Sequence, residues 1–127
     1  METSRLMNNR RSFIIGIKST NLSNREKDFL RKYKPWGVIL FSRNIKDIKQ
    51  AKQLTTSIRK IFNDDKYPIL IDQEGGRVNR LKNIISFESL TSEFFGKKFI
   101  KKRKEFNFFY KLFIDKTSYL LKLIGVN

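Results

Sequence analysis

Pro68-Ile-Leu-Ile-Asp-Gln-Glu-Gly-Gly-Arg-Val-Asn-Arg80 is the stretch whose reading decides the fold. Ile69, Leu70 and Ile71 form a short apolar run, and the chain turns polar at Asp72. Such a run, entered through proline and left through Gly75-Gly76, predicts a buried strand running into a tight loop. Ile and Leu without alternation suit a parallel strand covered on both faces. In parallel sheets and barrels, ligands bind just past the carboxyl ends of the strands. Asp72, Gln73, Glu74, Arg77 and Arg80 occupy that place. An ionised carboxylate only accepts hydrogen bonds, so Asp72 suits a pair of neighbouring sugar hydroxyls. Arginine, a fixed fork of donors, suits a carboxylate, a carbonyl or an ion pair with a nearby acid. A bare turn with a solvated Asp-Gln-Glu would show the same residue types. Asp72 and Glu74 are also a poor hydrolytic pair. Roughly 6–7 Å apart on one extended segment, they would not flank a scissile bond from opposite sides.

Outward from this stretch the elements alternate. Ser12–Ile17 predicts a first strand. Ser23–Lys34 predicts a helix, opened by the S-x-x-E capping box of Ser23 and Glu26 and stopped by Pro35. Trp36–Phe41 predicts a second buried strand. Its loop, Ser42-Arg43-Asn44, falls on the same side of the sheet as Asp72. Arg43 is a candidate ion-pair partner for Glu74 or Asp72 and is expected to brace the loop. Asp47 caps a helix reaching about Phe62, with Ile48, Ala51, Leu54, Ile58 and Ile61 at helical spacing. After Arg80, Ser89 to about Lys98 predicts a short helix. Glu105–Lys122 predicts a longer one, ended at Gly125. Val126 and Asn127 resemble the start of a fourth strand. Strand, helix, strand, helix, strand with short connections predicts an α/β fold with parallel strands. Residues 1–11 are expected to be a flexible tail.

Composition narrows the chemistry. The 127 residues suffice for one domain with a modest core. There is no cysteine, hence no disulfide framework and no thiolate metal site. There is no histidine, which removes the commonest general base and metal ligand. No metal and no cofactor is expected. Phe13-Ile-Ile-Gly-Ile17 is too short for the core of a signal peptide, and no apolar run approaches a membrane span. A cytoplasmic location is therefore expected. The net charge of +16 comes from 28 basic and 12 acidic residues. It raises a rival reading: a non-catalytic basic binding protein for nucleic acid or an anionic polymer. The lysines, however, are scattered along every expected helix. No phosphate-cradling glycine motif and no nucleic-acid module is present.

Gly37-Val-Ile-Leu-Phe-Ser-Arg-Asn44, followed by Ile71-Asp-Gln-Glu-Gly-Gly-Arg-Val-Asn-Arg80, resembles the amino-terminal part of glycoside hydrolase family 3. Within the family the likeness is to the bacterial β-N-acetylglucosaminidases (β-hexosaminidases) of cell-wall recycling. It runs from about Phe13 to Asn127. The resemblance implies a (β/α)8 TIM-type barrel, of which residues 12–127 would form about the first three β/α units. A whole barrel takes eight strands and about 250 residues. The resemblance also implies that Asp72 holds the sugar hydroxyls of an N-acetylglucosamine unit and that Arg80 lines the same subsite. Glu74 and Arg77, with Arg43, are expected to brace the loop. The implied reaction is retaining hydrolysis of terminal β-linked N-acetylglucosamine. Its nucleophile and its Asp-His acid/base pair belong to family motifs that these residues do not contain. No catalytic residue is therefore expected among them, and the 127 residues are not expected to turn over substrate alone. The implied partners are an N-acetylglucosamine-containing glycan and, to complete the barrel, a complementing chain.

Overall fold

The computed structural model describes residues 9–127. The expected tail therefore lies mostly outside the described residues. Its last three members, residues 9–11, do not: Arg11 opens the first strand, and Arg10 pairs with Asp64 and lies 4.8 Å over the Tyr67 ring.

Three strands, β1 (Arg11–Gly16), β2 (Pro35–Leu40) and β3 (Ile69–Ile71), form one parallel sheet in the order β1-β2-β3. Helix α1 (Asn24–Tyr33) joins β1 to β2, and α2 (Ile48–Phe62) joins β2 to β3. This is the expected α/β alternation. Both helix starts follow their sequence signals. Ser23 and Glu26 form the complete capping box, and Asp47 accepts from the Gln50 backbone N–H at 2.8 Å. Each bond satisfies an amide that the first helical turn leaves without an internal partner.

Strand register decides which side chains meet. Ile15 pairs with Val38, and Val38 with Ile69. Val38, Leu40 and Ile69 are fully buried against Leu30 of α1 and Leu54 and Ile58 of α2. Because strand side chains alternate, Ile14 faces away from the helices, and it is 46% exposed. β2 and β3 approach closely at Gly37. A Cβ there would stand 2.9 Å from Leu70 Cδ1 and 3.1 Å from the Pro68 carbonyl oxygen. Tyr67, just before β3, stacks on Phe62 and donates its hydroxyl to the Pro35 carbonyl at 2.8 Å.

The carboxyl-terminal third is a helical hairpin, α3 (Ser92–Lys101) and α4 (Arg103–Ile124). The expected helix from Ser89 starts later, because Thr91 caps it by accepting from Phe94 N. The longer helix is longer still than its periodicity suggested, opening at Arg103. Its far end is tied to α2. Thr55 donates to the Ile124 carbonyl at 2.8 Å and Arg59 to the Gly125 carbonyl at 2.8 Å. A second core of Ile45, Ala51, Leu81, Phe87, Leu120 and Ile124 lies under this junction. Val126 and Asn127 are not in a strand, yet Asn127 lies beside β3. Its N–H donates to the Ile69 carbonyl, and its side-chain oxygen accepts from Ile69 N.

This packing sets two expected outcomes. Ile58→Ala removes a fully buried side chain from the main core and should lower stability by about 2–5 kcal/mol, read from urea unfolding midpoints. The sheet face carrying Ile14 is uncovered, so the 127-residue chain should self-associate, with sedimentation coefficients that rise with concentration. A monomer with one sharp, concentration-independent thermal transition would contradict this.

Candidate functional site

The carboxyl edge of the sheet gathers the polar residues singled out above. At the ends of β1 and β2, Arg43 Nε donates to the Ile17 carbonyl at 3.0 Å. Asn44, fully buried, donates its amide to the carbonyls of Ile17 and Ser19 and accepts from Phe41 N at 2.8 Å. Arg43 thus ties the two strand ends together through a carbonyl. Among the described residues neither Asp72 nor Glu74 is its partner, which corrects the expected ion pair. The physical reason is proximity: β1 neighbours β2, and just past its end the Ile17 carbonyl accepts from both Arg43 and Asn44.

Asp72 pairs instead with Arg80. Nη2 donates to the Asp72 carboxylate at 3.1 Å and Nε to the Asp72 backbone carbonyl at 3.1 Å. One planar guanidinium therefore fixes both the side chain and the main chain of Asp72. The Arg80 guanidinium also lies 5.3 Å from the centre of the Phe41 ring, which Arg43 approaches at 4.7 Å. The Asp72 side chain remains 48% exposed. One of its oxygens accepts from Arg80, and the other takes no hydrogen bond from the described residues.

The loop between them is held by Gln73, which the sequence placed at the strand end without a role, and by Asn79, which it did not single out. Gln73 Oε1 accepts from Arg80 N at 2.8 Å and from Leu81 N at 3.2 Å. Asn79, 6% exposed, accepts from Leu81 N and donates to the Ile85 carbonyl. The amides of Glu74 and Gly75 both donate to the Val78 carbonyl, and Gly76 N donates to Phe87 O. Gly75 and Gly76 have φ of 94° and 55°, the left-handed region that glycine enters at no steric cost. A Cβ on Gly75 would also stand 2.8 Å from the Leu90 carbonyl oxygen. Glu74 takes part through its backbone amide. The side chains of Glu74 and Arg77 make no hydrogen bond or ion pair with the described residues, so the bracing rests on Gln73 and Asn79. Only the folded-back loop brings those amides to their partners; Gln73 and Asn79 carry no local motif that announces it.

Chemically, the rim presents a carboxylate oxygen ready to accept and a guanidinium ready to donate, side by side beside an aromatic ring. That pair matches vicinal hydroxyls or a hydroxyl with a carbonyl. Among the described residues no group of His, Cys, Asp and Glu side chains could hold a metal ion. No helix among them is long and apolar enough to cross a membrane.

Three parallel strands joined by helices, with polar loops at the carboxyl edge, define the class: an α/β unit of the kind from which TIM-like barrels are built. The comparisons with known proteins carry this further. No protein-family model matches the chain. A β-hexosaminidase from Hydrogenovibrio crunogenus is 44% identical over 69 residues, 54% of this chain and 19% of the relative. A β-hexosaminidase from Psychromonas ingrahamii is 37% identical over 73 residues, 58% of this chain and 21% of the relative. The chain thus spans about a fifth of the length of these relatives. Among solved structures, NagZ from Neisseria gonorrhoeae in complex with N-trifluoroacetyl-D-glucosamine superposes with a TM-score of 0.52 at 35% identity, over 60% of this chain and 22% of that one. A family 3 β-N-acetylglucosaminidase from Paenibacillus shares the fold, at a TM-score of 0.53 and 23% identity, over 68% of this chain and 16% of that one. These likenesses support the chain as an amino-terminal part of a family 3 glycoside hydrolase.

Gln73→Ala deletes the side-chain acceptor of Arg80 N and one of the two acceptors of Leu81 N and should cost about 1–3 kcal/mol locally. The measurement is hydrogen exchange at Arg80 and Leu81. Their protection should fall in the variant while that of Val38 and Leu40 stays unchanged.

Proposed function

We propose that this chain supplies the sugar-holding edge of a retaining β-N-acetylglucosaminidase acting on cell-wall glycan, with Asp72 and Arg80 as the residues that grip an N-acetylglucosamine unit. The observation that carries the reading is the Asp72–Arg80 pair: a half-exposed carboxylate, fixed by a two-point guanidinium grip, at the carboxyl end of a parallel strand. The relatives' names, and the acylated glucosamine in the Neisseria structure, support the same sugar.

In this role Asp72 accepts from two neighbouring hydroxyls, one of them through the oxygen that Arg80 leaves unengaged. Arg80 holds the carboxylate in place and offers its remaining N–H groups to the sugar. Together the two residues grip and orient. The nucleophilic carboxylate and the acid/base pair of the retaining reaction come from elsewhere in the barrel, whether on the same polypeptide or on a complementing chain. Grip without a nucleophile gives binding and no turnover. The compartment that fits such a substrate is the bacterial cytoplasm, where wall fragments are recycled.

Asp72→Ala should weaken N-acetylglucosamine binding at least about tenfold, measured by calorimetry, and leave the thermal midpoint nearly unchanged because Asp72 is half exposed. Wild-type affinity should hardly move between low and high salt, since no counterions are released. Sugar affinity unaffected by the substitution would remove Asp72 from the site.

A further inference from the structure

The α3–α4 hairpin carries two features that sugar binding at Asp72 does not use. The first is a cavity of about 330 Å³ lined by Phe94, Lys97, Lys98, Lys101 and Lys102. Lysine stems are apolar and their heads charged, so this lining suits an anion joined to an apolar body. The second is a row of apolar side chains left in water along α4: Phe108, Phe109, Leu112, Tyr119 and Leu123. At 3.6 residues per turn they fall within one arc of roughly 100°. Phe108 is 65% and Tyr119 59% exposed, and Ile100, near the end of α3, is 82% exposed. Soluble chains rarely leave so continuous an apolar surface without a use for it. By the same helical spacing Lys104, Lys111 and Lys122 share the next row outward, and Lys116 stands within the stripe. The two features adjoin. Lys98 Nζ lies 5.8 Å from the ring centres of both Phe94, in the cavity, and Phe109, in the stripe.

We propose that the α3–α4 hairpin docks on the surface of an anionic phospholipid bilayer, with lipid phosphates at the lysine cavity and Phe108, Leu112 and Tyr119 seated at the headgroup–acyl boundary. α4 then lies in the plane of the interface. Helices that bind there have this composition, aromatic and aliphatic on one side with lysine beside it. Charge selects the lipid. Nine basic and three acidic residues lie between Ser92 and Ile124. Glu93, Glu105 and Asp115 are each paired with lysines of the hairpin. Lys101, Lys104, Lys116 and Lys122 make no ion pair among the described residues; solvated in the free chain, they meet phosphate at the bilayer. The same excess sets like charges against each other if two copies meet along the stripe, which opposes a seam between chains. Nucleic acid would use the lysines and stack on the rings, yet leave Ile100, Leu112 and Leu123 in water. A bilayer takes all of them. The inference is independent of sugar binding at Asp72.

The test is flotation of the 127-residue chain with vesicles of phosphatidylcholine alone, and with vesicles of phosphatidylcholine and phosphatidylglycerol in equal parts. Flotation scores only lipid-bound chain, because self-associated chain sinks. Affinity for the anionic vesicles should exceed that for the neutral ones at least about tenfold. Phe108→Ser combined with Leu112→Ser changes exposed positions and keeps the fold. The pair should weaken binding to the anionic vesicles about tenfold and leave affinity for duplex DNA within about twofold. Lys101→Glu should weaken binding to the anionic vesicles and leave any binding to the neutral ones unchanged. Equal affinity for the two vesicles overturns the proposal. So does full vesicle affinity in the paired variant, which would make the lysines a general polyanion patch. Absence of wild-type flotation overturns it as well; if the paired variant then also self-associates less, the stripe is a seam between copies.

Discussion

The reversal of the chain after Ile71 is the constraint on which the site depends. β3 is only three residues long, and within nine residues of its end Arg80 must return to grip Asp72. Two glycines at positive φ make the bend sterically allowed. The bend also strands backbone donors, and a buried donor without an acceptor is costly. Val78 O takes the amides of Glu74 and Gly75, and Gln73 Oε1 takes those of Arg80 and Leu81. With these bonds in place, Arg80 reaches both the carboxylate and the carbonyl of Asp72. The rim of the sheet becomes a preformed polar surface.

The same loop is anchored from below. Leu81 and Phe87 are buried in the second core, with Leu120 and Ile124 of α4. Phe113, also on α4, approaches within 3.3 Å of where a Gly75 Cβ would stand. The long aromatic helix therefore supports the loop from the outside of the sheet. Its far end is fastened to α2 by Thr55 and Arg59. The position of Asp72 is thus set jointly by the sheet, the glycine turn and α4.

Much of this was legible in the sequence, and the boundary between the legible and the hidden has a physical cause. β2 and β3 showed as unbroken apolar runs because Val38, Leu40 and Ile69 are buried under the helices, β1 showed by the same kind of run although its residues are only partly covered, and both capped helix starts showed because capping is a local bond between residues three apart. The Asp72–Arg80 region showed through its abrupt change from apolar to polar. The partner of Arg43 was hidden, since a backbone carbonyl acceptor leaves no residue-type signal. The bonding of Gln73, Asn79 and Asn44 was hidden for the same reason: each bonds to main-chain groups that only the folded chain brings near. The charge was legible but said little about function. Its lysines lie on exposed helix faces, several paired along the helix with acids, as Lys97 with Glu93 and Lys111 with Asp115. Such exposed pairs add little to stability and leave the excess charge as a solvated surface. None of the comparisons favours a basic binding protein.

The most direct test of sugar binding at the Asp72–Arg80 rim is an amide NMR titration of the 127-residue chain with N-acetylglucosamine at low and high salt. The expected result is a set of shifts concentrated in Asp72–Arg80 and the Arg80 Nε–H, with saturation unchanged by salt. The contrary result is a silent Asp72–Arg80 loop, with shifts appearing instead along the lysine-bearing helices on addition of a polyanion and vanishing as salt rises.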